Sequence, residues 1–176
     1  MLGSPGAPTR NRKGRPLSFV QSITVHSLGE AGSLALAAFR SMAAGADQGD
    51  LVQRFDGQFG YAGRAALGAL HMLVREIGTV GARRVCIACP GCCRMTADEM
   101  SVLALLSAAQ ARDHALVAAH IAWLLAGRDS DTARSAALAI GGLFKSAGLT
   151  LENPGVEISA PVRPAGRAVL SVAGEA

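Results

Sequence analysis

The chain has 176 residues and a formal net charge of +4, long enough to bury one core without disulfides. Arg10, Arg12, Lys13 and Arg15 carry that charge in an acid-free first stretch, while the other 13 Lys and Arg balance the 13 Asp and Glu; this establishes a basic tail and does not establish a basic surface. No apolar run approaches the roughly 20 residues of a membrane span, and no secretory h-region is legible near the start, so the expectation is a cytoplasmic protein with no membrane contact.

Residues 1–17 read as a disordered basic leader, for which solvation is the plain role and weak nucleic-acid contact the specific one. A helical domain is expected over 18–148. Half of the residues are apolar but only 4% are aromatic, and there are 21 glycines, so its helices should approach closely over small side chains. The first helix spans about Ser33 to Ala44, with Leu36, Phe39, Arg40 and Ala43 at helical spacing and Gly45 as its stop. Asp50 can cap a short helix through Phe55 that ends at Asp56-Gly57. Tyr61–Gly78 reads as a long helix whose buried stripe is Leu67, Leu70, Val74 and Ile77.

Gly81 breaks the pattern, and Arg83–Ala88 is β-prone through Val85 and Ile87. After the cysteine-rich loop comes Thr96-Ala97-Asp98-Glu99, a capping box. It should open a helix from Ala97 to about Ala111, buried through Met100, Leu103 and Leu106. Asp113 can cap the next helix, to Leu125, with Leu116, His120, Trp123 and Leu124 on one face and Gly127 as its end. Ser130 or Asp131 caps a last helix to Ser146, with Leu138, Ile140, Leu143 and Phe144. Gly141-Gly142 within it suits close helix packing. Residues 149–176, with Pro154, Pro161 and Pro164, read as extended or disordered. The fold class is therefore mainly α, a compact bundle of about five to six helices with at most one or two short strands.

All four cysteines fall in one loop, 86–93: Cys86-Ile-Ala-Cys89-Pro-Gly-Cys92-Cys93. Such crowding implies a shared site, a shared ligand or a redox event. Three chemistries fit. Cys86-x-x-Cys89-x-x-Cys92 matches the thiolate spacing of an iron–sulfur loop, but the fourth cysteine follows at once instead of three residues later. Zinc could use Cys86/Cys89 as one knuckle and Cys92/Cys93, or a histidine from His71, His114 and His120, as the second pair; each histidine alone reads as an ordinary helix residue. Cys89-Pro90-Gly91-Cys92 is also a C-x-x-C for thiol redox chemistry, with Arg83, Arg84, Arg94 and a helix N-terminus nearby as positive charge. A thioredoxin-like βαβ framework is not legible, so a redox sensor is the form this reading takes. Asp98 and Glu99 could serve as hard ligands or bases, although capping accounts for both. The expectation is a structural metal site of Cys86, Cys89, Cys92 and Cys93 holding zinc or an iron–sulfur cluster, with a thiol-based sensor or regulatory interaction module as the alternative. No nucleophile–base pair, phosphate loop or other catalytic motif is legible, which leaves an enzyme the least supported of the classes and the question of enzyme activity open.

The stretch Arg84–Met100, above all Cys92-Cys93-Arg94-Met95-Thr96-Ala97-Asp98-Glu99, resembles small proteobacterial proteins of unknown function in which a cysteine-rich turn leads into an R-M-T-x-x-E helix start. The resemblance implies that loop and capping box form one unit, and it carries no activity with it.

Overall fold

The computed structural model describes residues 24–46 and 48–155 and the backbone of 170–173. Among these are six α-helices and two short strands: α1 (Glu30–Ala43), α2 (Gly49–Phe59), α3 (Gly63–Val80), β1 (Val85–Ala88), α4 (Ala97–Ala111), α5 (His114–Leu124), α6 (Asp131–Ser146) and β2 (Leu170–Ala173). The mainly helical bundle expected from periodicity is what forms. The basic leader, and with it the segment proposed to touch nucleic acid, lies outside the described residues, as does most of the stretch after 155.

α4 is the central helix. Val102 through Leu106, Ala108 and Ala109 are all buried, so this helix is covered on every side, as its nearly unbroken apolar sequence requires. The expected stripe of Met100, Leu103 and Leu106 was too narrow, and Met100 itself is half-buried. α6 and α5 pack directly on α4, and α3 packs on α6, α2 and α1. Gly141 makes the α4–α6 approach possible: a Cβ there would stand 2.5 Å from the Gln110 backbone nitrogen and 2.7 Å from the Ala109 carbonyl carbon. Gly142 has open space at the same position, so the close packing belongs to one glycine of the pair.

Two boundaries around Phe59 and the buried face of α5 differ from expectation. α2 runs through Asp56-Gly57 to Phe59, because Phe59 stacks on Phe55 one turn earlier (centroids 5.2 Å apart) and meets the edge of Phe144 at 4.8 Å. Burial of that ring outweighs the turn tendency of Asp-Gly. The chain reverses instead at Gly60, whose φ of +58° suits glycine. α3 accordingly starts at Gly63 and leaves Tyr61 fully exposed. On α5 the buried face is Val117, His120, Ile121 and Leu124. Leu116 is exposed and Trp123 half-buried. With alanine on most other positions of α5, the sequence could not fix the rotation of its stripe.

β1 is a single strand inserted between helices. Val85 and Ile87 point into the core, and Cys86 points out, as the alternation of a strand requires. One edge of β1 pairs in parallel with β2, Val85 opposite Leu170 and Ala88 opposite Ala173. This gives part of the C-terminal stretch a defined place that its prolines concealed.

Candidate functional site

The cysteine loop joins β1 to α4, and side chains hold both of its ends. Asp98 Oδ2 accepts from the backbone N–H of Cys86 at 2.7 Å, and the Thr96 hydroxyl donates to the Cys86 carbonyl at 2.7 Å. Glu99 Oε1 accepts from the N–H of Ala88 at 2.9 Å. The first turn of α4 thus supplies to one edge of β1 the partners a neighbouring strand would give. The capping box forms as the sequence predicts: Glu99 N–H donates to Thr96 Oγ1 at 3.1 Å, and Thr96 N–H to Glu99 Oε2 at 2.8 Å.

Arg40 completes the arrangement. It lies on α1, 59 residues before Glu99, and is 4% exposed. Its Nε donates to Glu99 Oε1 at 2.7 Å and its Nη2 to Oε2 at 2.9 Å, a bidentate fork. Its Nη1 donates to the Cys92 carbonyl and its Nη2 to the Arg94 carbonyl, each at 2.7 Å. The Glu99 carboxylate raises the Arg40 guanidinium above its ordinary range against the opposing effect of burial, and Cys92 and Cys89 lie close enough to add to the rise. Glu99, fully buried, accepts four hydrogen bonds, so both halves of the pair are satisfied.

Within the loop, the N–H of Cys92 donates to the Cys89 carbonyl at 3.1 Å and Gly91 has a φ of +85°. With Pro90 in second place and a left-handed glycine in third, Cys89-Pro90-Gly91-Cys92 closes a type II turn. The Cα atoms that bound such a turn are less than about 7 Å apart, within the span a disulfide can bridge. Cys89 and Cys92 are half-buried, Cys86 and Cys93 exposed, and all four are free thiols. The N–H of Val25 donates to the Cys93 carbonyl at 2.8 Å, which fastens the segment before α1 to the loop.

The expected charge environment is only partly realised. Arg83 forks onto Asp98, donates to the Trp123 carbonyl at 3.0 Å and lies 5.3 Å over the Trp123 ring; it serves β1 and α5. Arg84 and Arg94 are exposed. Asp98 and Glu99 are occupied by their arginines, which removes them as free bases or hard ligands. His71 and His114 are exposed on α3 and α5, and His120 is buried, with its Nδ1 3.1 Å from Ser101 Oγ. Burial pushes His120 below its ordinary value, to the neutral form. Among the described residues no three His, Cys, Asp or Glu side chains stand grouped around one point that a metal ion could fill.

Two participants escaped the sequence reading. Arg40 carried a signal, since it falls on the apolar stripe of α1 beside Leu36 and Phe39, where an unpaired charge would be untenable. His26 carried none. It lines, with Val25, Leu36, Arg40, Cys92 and Cys93, a cleft of about 240 Å³ between α1 and the turn. The chain matches no known family model, and no curated protein or solved structure matches it. No helix among the described residues is long and apolar enough to cross a membrane.

Proposed function

We propose that this chain is a thiol-based redox sensor or regulatory module whose working pair is Cys89 and Cys92. The observation that carries the reading is the type II turn, which sets the two cysteines at its ends with their thiols free, half-buried, and Cys92 on the wall of a cleft. The loop is already tied down by Arg40, Glu99, Asp98 and Val25. A metal is therefore not needed to hold it, and the sulfurs remain for chemistry.

The step is thiol–disulfide exchange with a low-molecular-weight disulfide. One cysteine sulfur attacks a sulfur of the small disulfide and expels one small thiol, leaving a mixed disulfide. The second cysteine then displaces the other small thiol and closes Cys89–Cys92. Two S–H bonds and one small S–S bond are exchanged for one protein S–S bond and two small thiols, so protons and electrons balance. In a reducing compartment such as the cytoplasm the dithiol is the resting form.

The test is titration of the intact protein in redox buffers of a small thiol and its disulfide, with the bonds mapped by mass spectrometry. Loss of two of the four thiols and recovery of a Cys89–Cys92 linked peptide is the expected result. Four free thiols across the whole range would sink the reading.

A second reading keeps the metal centre. The spacing of Cys86, Cys89, Cys92 and Cys93 favours it, since C-x-x-C-x-x-C places thiolates as metal-binding loops do. Elemental analysis and an absorption spectrum of protein purified without oxygen decide it: zinc or iron with sulfide in stoichiometric amount supports a centre, and their absence with four titratable thiols removes it.

A further inference from the structure

We infer that Arg40 is the positioning residue of the thiol turn, the group that sets how readily Cys89 and Cys92 join. This deepens the redox reading and rests on it. The argument begins with where the loop is held. Its entry is fixed at Ala88, whose N–H donates to Glu99 Oε1. Its exit is fixed at Cys92 and Arg94, whose carbonyls both accept from the Arg40 guanidinium. The same guanidinium grips both oxygens of Glu99. Entry and exit are therefore both referred to one buried ion pair, beside the Asp98 and Val25 contacts, so a shift in that pair is felt at both ends of the turn.

Cys92 feels this most directly, because its carbonyl is bonded to Arg40 Nη1 and its N–H closes the turn onto the Cys89 carbonyl. Both polar groups of its backbone are engaged, so its Cα cannot drift from Cys89. Holding two reactants in place raises the effective concentration of one toward the other, and for a dithiol that favours the joined form. A lysine at position 40 would keep the positive charge but has no planar fork to reach a carboxylate and two carbonyls together. Charge and positioning can thus be separated by substitution.

The experiment compares the unmodified chain with Arg40→Lys and Glu99→Gln in the same thiol/disulfide buffers, reading the fraction of Cys89–Cys92 disulfide by mass spectrometry and the fold by circular dichroism. Arg40→Lys should lower the equilibrium constant for closing the bond by at least tenfold. Glu99→Gln, which keeps an acceptor for only one of the Ala88 and Thr96 N–H groups and loses the charge that Arg40 grips, should lower it as well. A change under twofold in folded Arg40→Lys, with the bond still forming in the unmodified chain, overturns the role of Arg40 and leaves the redox reading intact. If the unmodified chain forms no Cys89–Cys92 bond, the redox reading and this inference fall together. Should the substituted proteins not fold, the Arg40 Nε–H resonance of the unmodified chain decides: it should move when the pair is oxidised, and a resonance that ignores oxidation overturns the inference. A merely structural arginine would lower the melting temperature without moving either readout.

Discussion

The residue that reports most cleanly on pH is His120. Its ring is 2% exposed, shares one hydrogen bond with Ser101 between α4 and α5, and is held neutral by burial. In the unfolded chain the same imidazole takes a proton near its ordinary value of about 6.5. The sign follows. Above that value neither state is protonated and the full stability is present. As pH falls through it the unfolded state gains a proton that the native state refuses, so stability drops with acid, by up to about 1.4 kcal/mol per pH unit, until the lowered native value is reached. Denaturant midpoints measured between pH 7.5 and 5 should fall accordingly, and His120→Gln should flatten the slope. A slope equal in both proteins would assign the effect elsewhere. The window is clear of Asp129, whose carboxyl is lowered by the Arg134 hydrogen bond and the Ser130 N–H; its contribution, present above the ordinary carboxylate range, is lost only at lower pH.

At the scale of elements, the contact between α4 and α6 turns on Gly141. The backbone of Ala109 and Gln110 lies where its Cβ would go, and backbone atoms cannot rotate aside. Gly141→Ala therefore forces the two helices apart at Ala109 and Gln110, at a cost of about 1–3 kcal/mol from overpacking. With backbone at 2.5 Å the cost lies in the upper part of that range, above the gain in helix propensity of about 1 kcal/mol. Gly142→Ala meets nothing within 4 Å and should be neutral or stabilising. Thermal melting of the two variants checks the pair, and equal shifts would refute the packing argument. The sequence placed both glycines in a helix and could not choose between them, because the choice depends on which face α6 turns to α4. Element boundaries show the same limit. The Thr96 capping box was fully legible because it is local: its two hydrogen bonds join residues three apart. The end of α2 was misjudged because Phe59 answers to Phe144, 85 positions away. The cysteine loop divides along the same line. Its turn chemistry was visible in Pro90-Gly91, whereas its anchorage on Arg40 links α1 to the loop across more than fifty residues, a relation that one sequence does not display.

For the whole molecule the question is whether these parts unfold as one. Phe144 on α6 meets Phe59 at 4.8 Å and Phe55 at 6.5 Å, both on α2, and α6 also packs on α3, α4 and α5. The single tryptophan, Trp123, sits on α5 and is tied through Arg83 to Asp98 and so to the cysteine loop. The aromatic cluster and the tryptophan thus belong to different neighbourhoods of one apolar core. If the core is one cooperative unit, damage in the first must register in the second. Phe144→Ala removes a fully buried ring and should cost about 3–5 kcal/mol. The denaturant midpoint seen by tryptophan fluorescence should then fall together with the one seen by circular dichroism, and the two curves should superimpose. A fluorescence midpoint that stays in place while the helical signal shifts would divide the bundle into α2–α3–α6 and α4–α5 halves. The cysteine loop, anchored on α1 by Arg40 and on α4 by Glu99, would then belong to the half that Phe144 does not support.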